Sequence, residues 1–169
     1  KGLNKDVEIK NSGVEWIGNI PKHWVVKKMK YLVKICNGSD YKEFVLDDGG
    51  YPVYGTGGVF SRSSKFIYNE ISVLLGRKGS VDKPQIVEEP FWTSDTTYYT
   101  KINSNVEPFF FFHLVNQIQF DLYIYGSTIP SMTKSVYDEM LFPYPPITEQ
   151  KKIVEYIDKE TSKIDDLIS

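Results

Sequence analysis

The sequence predicts a mixed α+β (α/β) fold: a twisted, β-rich body with packed helices, followed by a coiled-coil-type helix at its C-terminal end. Three observations carry this expectation. Between Tyr51 and Ile102, short runs of β-branched and aromatic residues alternate with glycine-rich clusters, the pattern of strands joined by tight turns. Residues 109–125 are apolar on nearly all sides, which suits a helix buried between a sheet and a neighbour. From Thr148 onward, apolar residues recur at steps of three and four among charges, the mark of an amphipathic helix.

In chain order, residues 1–15 are polar, include Gly2 and Gly13 and hold no sustained period; they predict an irregular arm or linker. Trp16, Ile17, Ile20 and Trp24 then anchor the start of a main domain over 16–146. Residues 25–35 alternate apolar residues with lysines and fit a strand or a short helix. Tyr51-Pro52-Val53-Tyr54 leads into Gly55-Thr56-Gly57-Gly58, a turn. Residues 65–68 and 71–75 read as strands, and Gly76-Arg77-Lys78-Gly79-Ser80 as a second tight turn carrying two cations. Residues 91–102 form a further strand pair.

Asn105-Val106-Glu107-Pro108 has a polar cap, an acid and an early proline, so a helix is expected to follow and to end at Gly126. The hydroxyl-rich stretch from Gly126 to Lys134 predicts a rigid loop. After Pro145-Pro146, Thr148 is a good N-cap for a helix over 147–169, where Val154, Ile157, Thr161, Ile164 and Ile168 make a seam. About three heptads of lone helix are marginal in water, so this seam expects a partner helix.

At 169 residues with 41% hydrophobic content, the chain is long enough for one domain and an appendage. No apolar run reaches the roughly 20 residues that span a bilayer, so no membrane role is expected. Lys1 to Lys10 lacks the apolar core of a signal peptide, and Cys36 is the one cysteine; a reducing, cytoplasmic setting is the expectation. Net charge is −2, which on its own speaks weakly against a nucleic-acid binder. Residues 1–48 nevertheless carry nine Lys against seven acids, and 49–106 six cations against five acids, whereas 107–169 hold five Lys against ten acids. A cationic surface on the first two thirds therefore stays open.

Signals for catalysis are thin. His23 and His113 lie far apart on the chain and no nucleophile elbow is present. Cys36 has no activating neighbour in sequence. Gly55-Thr56-Gly57-Gly58 lacks both the dinucleotide-binding spacing and the Gly-Lys-Ser/Thr ending of a phosphate loop. No cofactor and no metal are expected. Two binding motifs remain. Gly76–Ser80 projects adjacent cations between glycines, which suits a phosphate backbone or a guanine edge and equally an exposed hairpin tip. Trp92-Thr93-Ser94-Asp95-Thr96-Thr97 is a row of short donors and acceptors that can read base edges or make an ordinary turn.

These residues together resemble one half of the specificity (S) subunit of type I restriction–modification systems. The resemblance rests on Gly13-Val14-Glu15-Trp16-Ile17-Gly18 with Ile20-Pro21-Lys22-His23-Trp24, on the motifs 51–58 and 74–80, on Gly126-Ser127-Thr128-Ile129-Pro130-Ser131, and on the exit Pro145-Pro146-Ile147-Thr148-Glu149-Gln150. It implies a non-catalytic target recognition domain that reads one half of a bipartite sequence in double-stranded DNA. Its trailing helix would pair with the other conserved helix of the same subunit. Methylation would fall to methyltransferase subunits, and cleavage to a restriction subunit reached through them. Lys1-Gly2-Leu3-Asn4 fits the link into the second of two such domains. The alternatives are the recognition part of a fused restriction–methyltransferase enzyme and a protein-interaction module.

Under this resemblance, residues in the family motifs are expected to position the DNA backbone: Tyr54, Thr56, Arg77, Lys78, Ser80, Ser127, Thr128 and Lys134. Base readers are expected where the pattern is loose: Tyr41, Lys42, Arg62, Ser63, Ser94, Asp95 and Thr96. By chemistry Arg62 suits a guanine, and Asp95 can accept from a cytosine amino group.

Overall fold

The computed structural model describes residues 6–123 and 129–168, with side chains of the last helix described to 164. Three short strands and a 3-10 turn open the chain: β1 (Ile9–Asn11), β2 (Asn19–Pro21) and β3 (Val25–Lys28), then Met29–Tyr31. β4 (Val33–Asn37), β5 (Val45–Leu46), β6 (Tyr51–Gly55), β7 (Gly58–Ser63), β8 (Ser72–Gly76), β9 (Gln85–Val87), β10 (Trp92–Thr93) and β11 (Thr97–Ile102) follow. The α-helices and a last strand come after these: α1 (Pro108–Val115), α2 (Lys134–Glu139), β12 (Leu141–Tyr144) and α3 (Ile147–Ile168). Among the described residues no helix is long and apolar enough to cross a membrane.

Two four-stranded sheets form the body. One runs β4-β11-β8-β9, all antiparallel; the other runs β10-β6-β7-β5, with β10 parallel to β6. β8 is buried along its whole length because its sheet is covered on both faces. Alternation across the pleat sends Val33, Ile35, Val73, Leu75 and Tyr98 into a main core with α1, Tyr137 and Phe142, and sends Leu74 and Tyr99 into a second core with Val87 and Phe91. The β8–β11 ladder pairs only at Thr97↔Gly76 and Tyr98↔Leu75. Beyond that, hydroxyls continue it: Ser72 Oγ donates to the Thr100 carbonyl (2.8 Å) and Thr100 Oγ1 to the Val73 carbonyl (2.9 Å).

Several expectations are corrected. The arm contains β1, which pairs antiparallel with β2. Residues 25–35 are neither one strand nor a helix, but β3 and the start of β4 separated by the 3-10 turn. Residues 65–68 form no strand; Tyr68 makes a single bridge to Phe91. Their aromatic content serves packing, Phe66 against Tyr51 and Tyr68 against Phe91 and Tyr99. β10 and β11 do not pair with each other but join different sheets. The helix expected to reach Gly126 stops at Val115, where the Asn116 side chain donates to the Phe112 carbonyl (2.8 Å) and competes with further helix. Gly126 itself lies outside the described residues. Helix α2, starting at Lys134, occupies the end of the stretch read as a loop, with Thr133 as its cap.

Helix α3 starts one residue before Thr148. Its root is tied to the N-terminal segment through Glu149, whose carboxylate accepts from His23 Nε2 (2.6 Å) and Trp24 Nε1 (2.9 Å). Burial works against ionisation of Glu149, but those hydrogen bonds outweigh it and hold the carboxyl below its ordinary value. Glu139, at the end of α2, accepts from Lys28 and Lys30, which hold its carboxyl down at about 2.

Candidate nucleic-acid interface

Because β10 and β11 belong to different sheets, the 94–96 turn crosses from one sheet to the other, and three further connections gather on it. The Arg77 and Lys78 amides donate to the Thr96 carbonyl (2.9 and 3.2 Å), and the Ser94 amide to the Tyr54 carbonyl (3.0 Å). On the far side of the 76–80 turn, Gly79 N donates to Pro130 O (3.0 Å) and Met132 N to Arg77 O (3.0 Å). The β6–β7 turn closes the group. Gly79, at φ +94°, lies so near Thr56 that an added Cβ would stand 3.0 Å from its Oγ1, and Gln85 Nε2 donates to the Gly55 carbonyl (2.9 Å). Turns distant in sequence thus form one backbone-bonded cluster.

Its floor is Tyr137. The side chain is fully buried and its hydroxyl donates to the Gly76 carbonyl (2.9 Å); burial, with Tyr98 adding, pushes the phenol well up. Tyr137→Phe leaves that buried carbonyl unsatisfied. The expected cost is about 1–3 kcal/mol, read as a lower urea midpoint at unchanged slope; a variant melting like the wild type would show that the bond contributes nothing.

The cations of the cluster differ. Arg77 is half-buried and its Nη1 donates to the Asp95 carbonyl (3.2 Å), so it braces the 94–96 turn through that turn's backbone. Lys78 is exposed and, among the described residues, its ammonium has no ion pair. Lys134 is exposed but pairs with Asp138 one helical turn on (3.3 Å). Thr56 and Ser80 are half-buried in their turns. Ser127 and Thr128 lie outside the described residues. Tyr54, expected at the backbone, packs edge-on to Phe91 (6.1 Å) in the second core. Burial, then Glu89, raises its phenol while Arg62 opposes.

Of the expected base readers, Lys42, Arg62 and Asp95 are exposed, and Tyr41 and Thr96 half-exposed. Ser63 is a correction: it is fully buried, and its hydroxyl accepts from the Lys65 amide (3.1 Å), which fixes the end of β7. Ser94 is also buried, its hydroxyl shared with Thr96 Oγ1 (2.8 Å), so it shapes the turn instead of facing outward. Residues 38–44 run beside that turn. Ser39 N donates to Thr93 O (2.9 Å), Trp92 Nε1 to Ser39 O (3.0 Å), and Lys65 Nζ sits 4.1 Å above the Phe44 ring, which itself packs on Trp92 (5.4 Å).

The helical seam is corrected at its first position. Val154 is buried in the domain's own main core, so it is not free for another helix. Ile157 is half-buried, and only then does the seam emerge: Thr161 is exposed, with Oγ1 donating to the Ile157 carbonyl (2.9 Å), and Ile164 is 56% exposed. The Ile168 side chain lies outside the described ones.

Backbone-locked turns that present cations and short polar side chains have the parts of a recognition surface mounted on an α+β body. Comparison with known proteins agrees in kind. The family model for the type I restriction modification DNA specificity domain matches residues 21–168, and the chain belongs to that family. In fold it is similar to the S subunit of the type I restriction–modification system from M. genitalium (TM-score 0.75, 16% identity, 99% of this chain and 43% of that one). It is similar too to the HsdS subunit from Thermoanaerobacter tengcongensis (TM-score 0.73, 16% identity, 94% and 41%). A chain from a structure of type I R-M complex assembly and conformational transition gives a TM-score of 0.74 at 16% identity, over 94% and 42%. This chain thus spans less than half the length of these solved chains. No curated protein matches the sequence.

Proposed function

We propose that residues 16–146 recognise one half of a bipartite duplex DNA target as the recognition domain of a specificity subunit, and that 147–169 begin its spacer helix. The observation that carries this reading is the 76–80 turn, whose backbone is bonded to the 94–96 turn on one side and to 130–132 on the other. A phosphate contact from Lys78 would then be rigidly indexed to side chains at Asp95, Arg62 and Lys42. On the same reading the domain performs no chemistry; methyltransferase subunits and, through them, a restriction subunit act on the DNA it selects, in the cytoplasm. Thr161 and Ile164 would face the other conserved helix of the same subunit.

Lys78→Ala should weaken binding of the assembled complex to every duplex alike and flatten the slope of log K against log salt by about 0.9. Arg77→Ala should do this and also alter preference among sequences, because its guanidinium holds the Asp95 carbonyl. Filter binding to a specific and a random duplex across a salt series tests both. A Lys78→Ala protein with changed sequence preference and an intact slope would sink the positioning role.

A further inference from the structure

Phe60 sits where β6 and β7 lose step. The register between β6 and β7 runs Val53↔Ser61 and then Tyr54↔Val59, so Phe60 is the extra residue of a β-bulge, a device that re-aims a side chain. Phe60 is 53% exposed, yet it is held. Tyr41 packs on it edge-to-face (5.1 Å, 87°), and a Cβ added at Gly55 would stand 3.3 Å from its Cδ1 and Cε1. Val59 beside it and Val45 on the neighbouring strand are exposed as well, so the held ring belongs to an apolar patch suited to contact. Lys42 and Arg62, both exposed, follow Tyr41 by one residue and Phe60 by two, while the Asp40 carboxylate accepts from the Lys42 amide (3.1 Å).

We propose that Phe60 reads the C5-methyl group of a thymine in the major groove, an inference that rests on the DNA-recognition reading above. Thymine presents an apolar point amid polar base edges, and a phenyl ring is among the groups that contact it. A wedge between base pairs needs a ring free to enter the stack; Phe60 is packed by Tyr41 and lies close to the Gly55 backbone, which hold the ring back. Apolar contact from a neighbour two residues before Arg62 would also fix the register in which the guanidinium meets its base.

The test uses the full-length specificity subunit assembled with its methyltransferase subunits and a pool of randomised duplexes. Selection defines the half-site, and each thymine in it is then replaced by deoxyuridine, which deletes the methyl group alone. One replacement should weaken wild-type binding about fourfold or more, the worth of a buried methyl group. Phe60→Ala should bind the thymine and uracil duplexes equally, and Phe60→Leu should keep part of the difference. The proposal is overturned by a half-site without thymine, by equal wild-type binding to thymine and uracil at every position, or by full discrimination in Phe60→Ala. Loss of a DNA bend in Phe60→Ala with no thymine–uracil difference would make the residue a wedge instead. Selection of no motif at all by the wild type would defeat the DNA-recognition reading itself.

Discussion

Gly38→Ala should disrupt the cluster of turns at 76–80 and 94–96 more severely than loss of any exposed side chain on it. A Cβ at position 38 would stand 1.9 Å from the Ser94 carbonyl oxygen and 2.7 Å from that of Thr93. Both are backbone atoms, so no side chain can rotate away. Relief requires the 38–39 segment to part from the 93–97 turn, which breaks Gly38 N→Thr97 O (3.2 Å) and Ser39 N→Thr93 O (2.9 Å). The position is not one that needs a left-handed backbone; the demand is for space alone. Overpacking of this kind costs about 3 kcal/mol or more, a fall in Tm of roughly 6–12 °C for a chain this long. The damage should also be directional. The displaced turn carries Asp95 and Thr96, so sequence preference should degrade further than total DNA binding does. A Gly38→Ala protein with wild-type melting would mean that the two segments are not in contact in solution.

That contact shows where sequence reading reaches its limit. The strands with β-branched and aromatic runs were legible, β6, β8 and β11 among them, because each is covered by core on a face its own pleat defines. The turns at 55–58 and 76–80 were legible for a similar local reason, their glycines. The convergence of those turns was not, since it depends on β10 and β11 entering different sheets, and a strand's partner is not written in its own residues. Residues 65–68 misread as a strand for the converse reason: packing on Phe91 and Tyr51 draws on the same residue types as strand pairing does. Ser63 and Ser94 looked like readers because exposure is a property of the assembled fold. Gly38 and Tyr137 had no local signal at all; each acts on a backbone more than 50 residues away. The bulge at Phe60 is equally silent, a matter of two strands losing step.

The seam of α3 was visible as a period, but Val154 belongs to the domain core and only the helix beyond Ile157 is free. The direction in which that free portion leaves is therefore set at the root, where Gln150 is completely buried and fully bonded. Its Oε1 accepts from Glu107 N (2.8 Å), and its Nε2 donates to Pro145 O (2.9 Å) and Asn105 O (3.2 Å). Glu107 is in turn the cap of α1, its carboxylate accepting from Phe110 N, so one amide fixes the starts of both helices. Gln150→Leu keeps the bulk and strands the Glu107 N–H and the buried Pro145 carbonyl, while Asn105 O keeps its bond from the Tyr144 hydroxyl (2.9 Å). With each unsatisfied group costing its usual 1–3 kcal/mol, the loss is about 2–6 kcal/mol. The urea midpoint should fall accordingly. A second effect separates orientation from stability. If the domain reads a half-site in an assembled complex as proposed, a helix no longer fixed at its root should tolerate half-sites moved one base pair apart, whereas the wild type should not. Competition between duplexes of native and lengthened spacing measures this, and a destabilised Gln150→Leu protein that still rejects the longer spacer would show that the helix takes its direction from its partner and not from this joint.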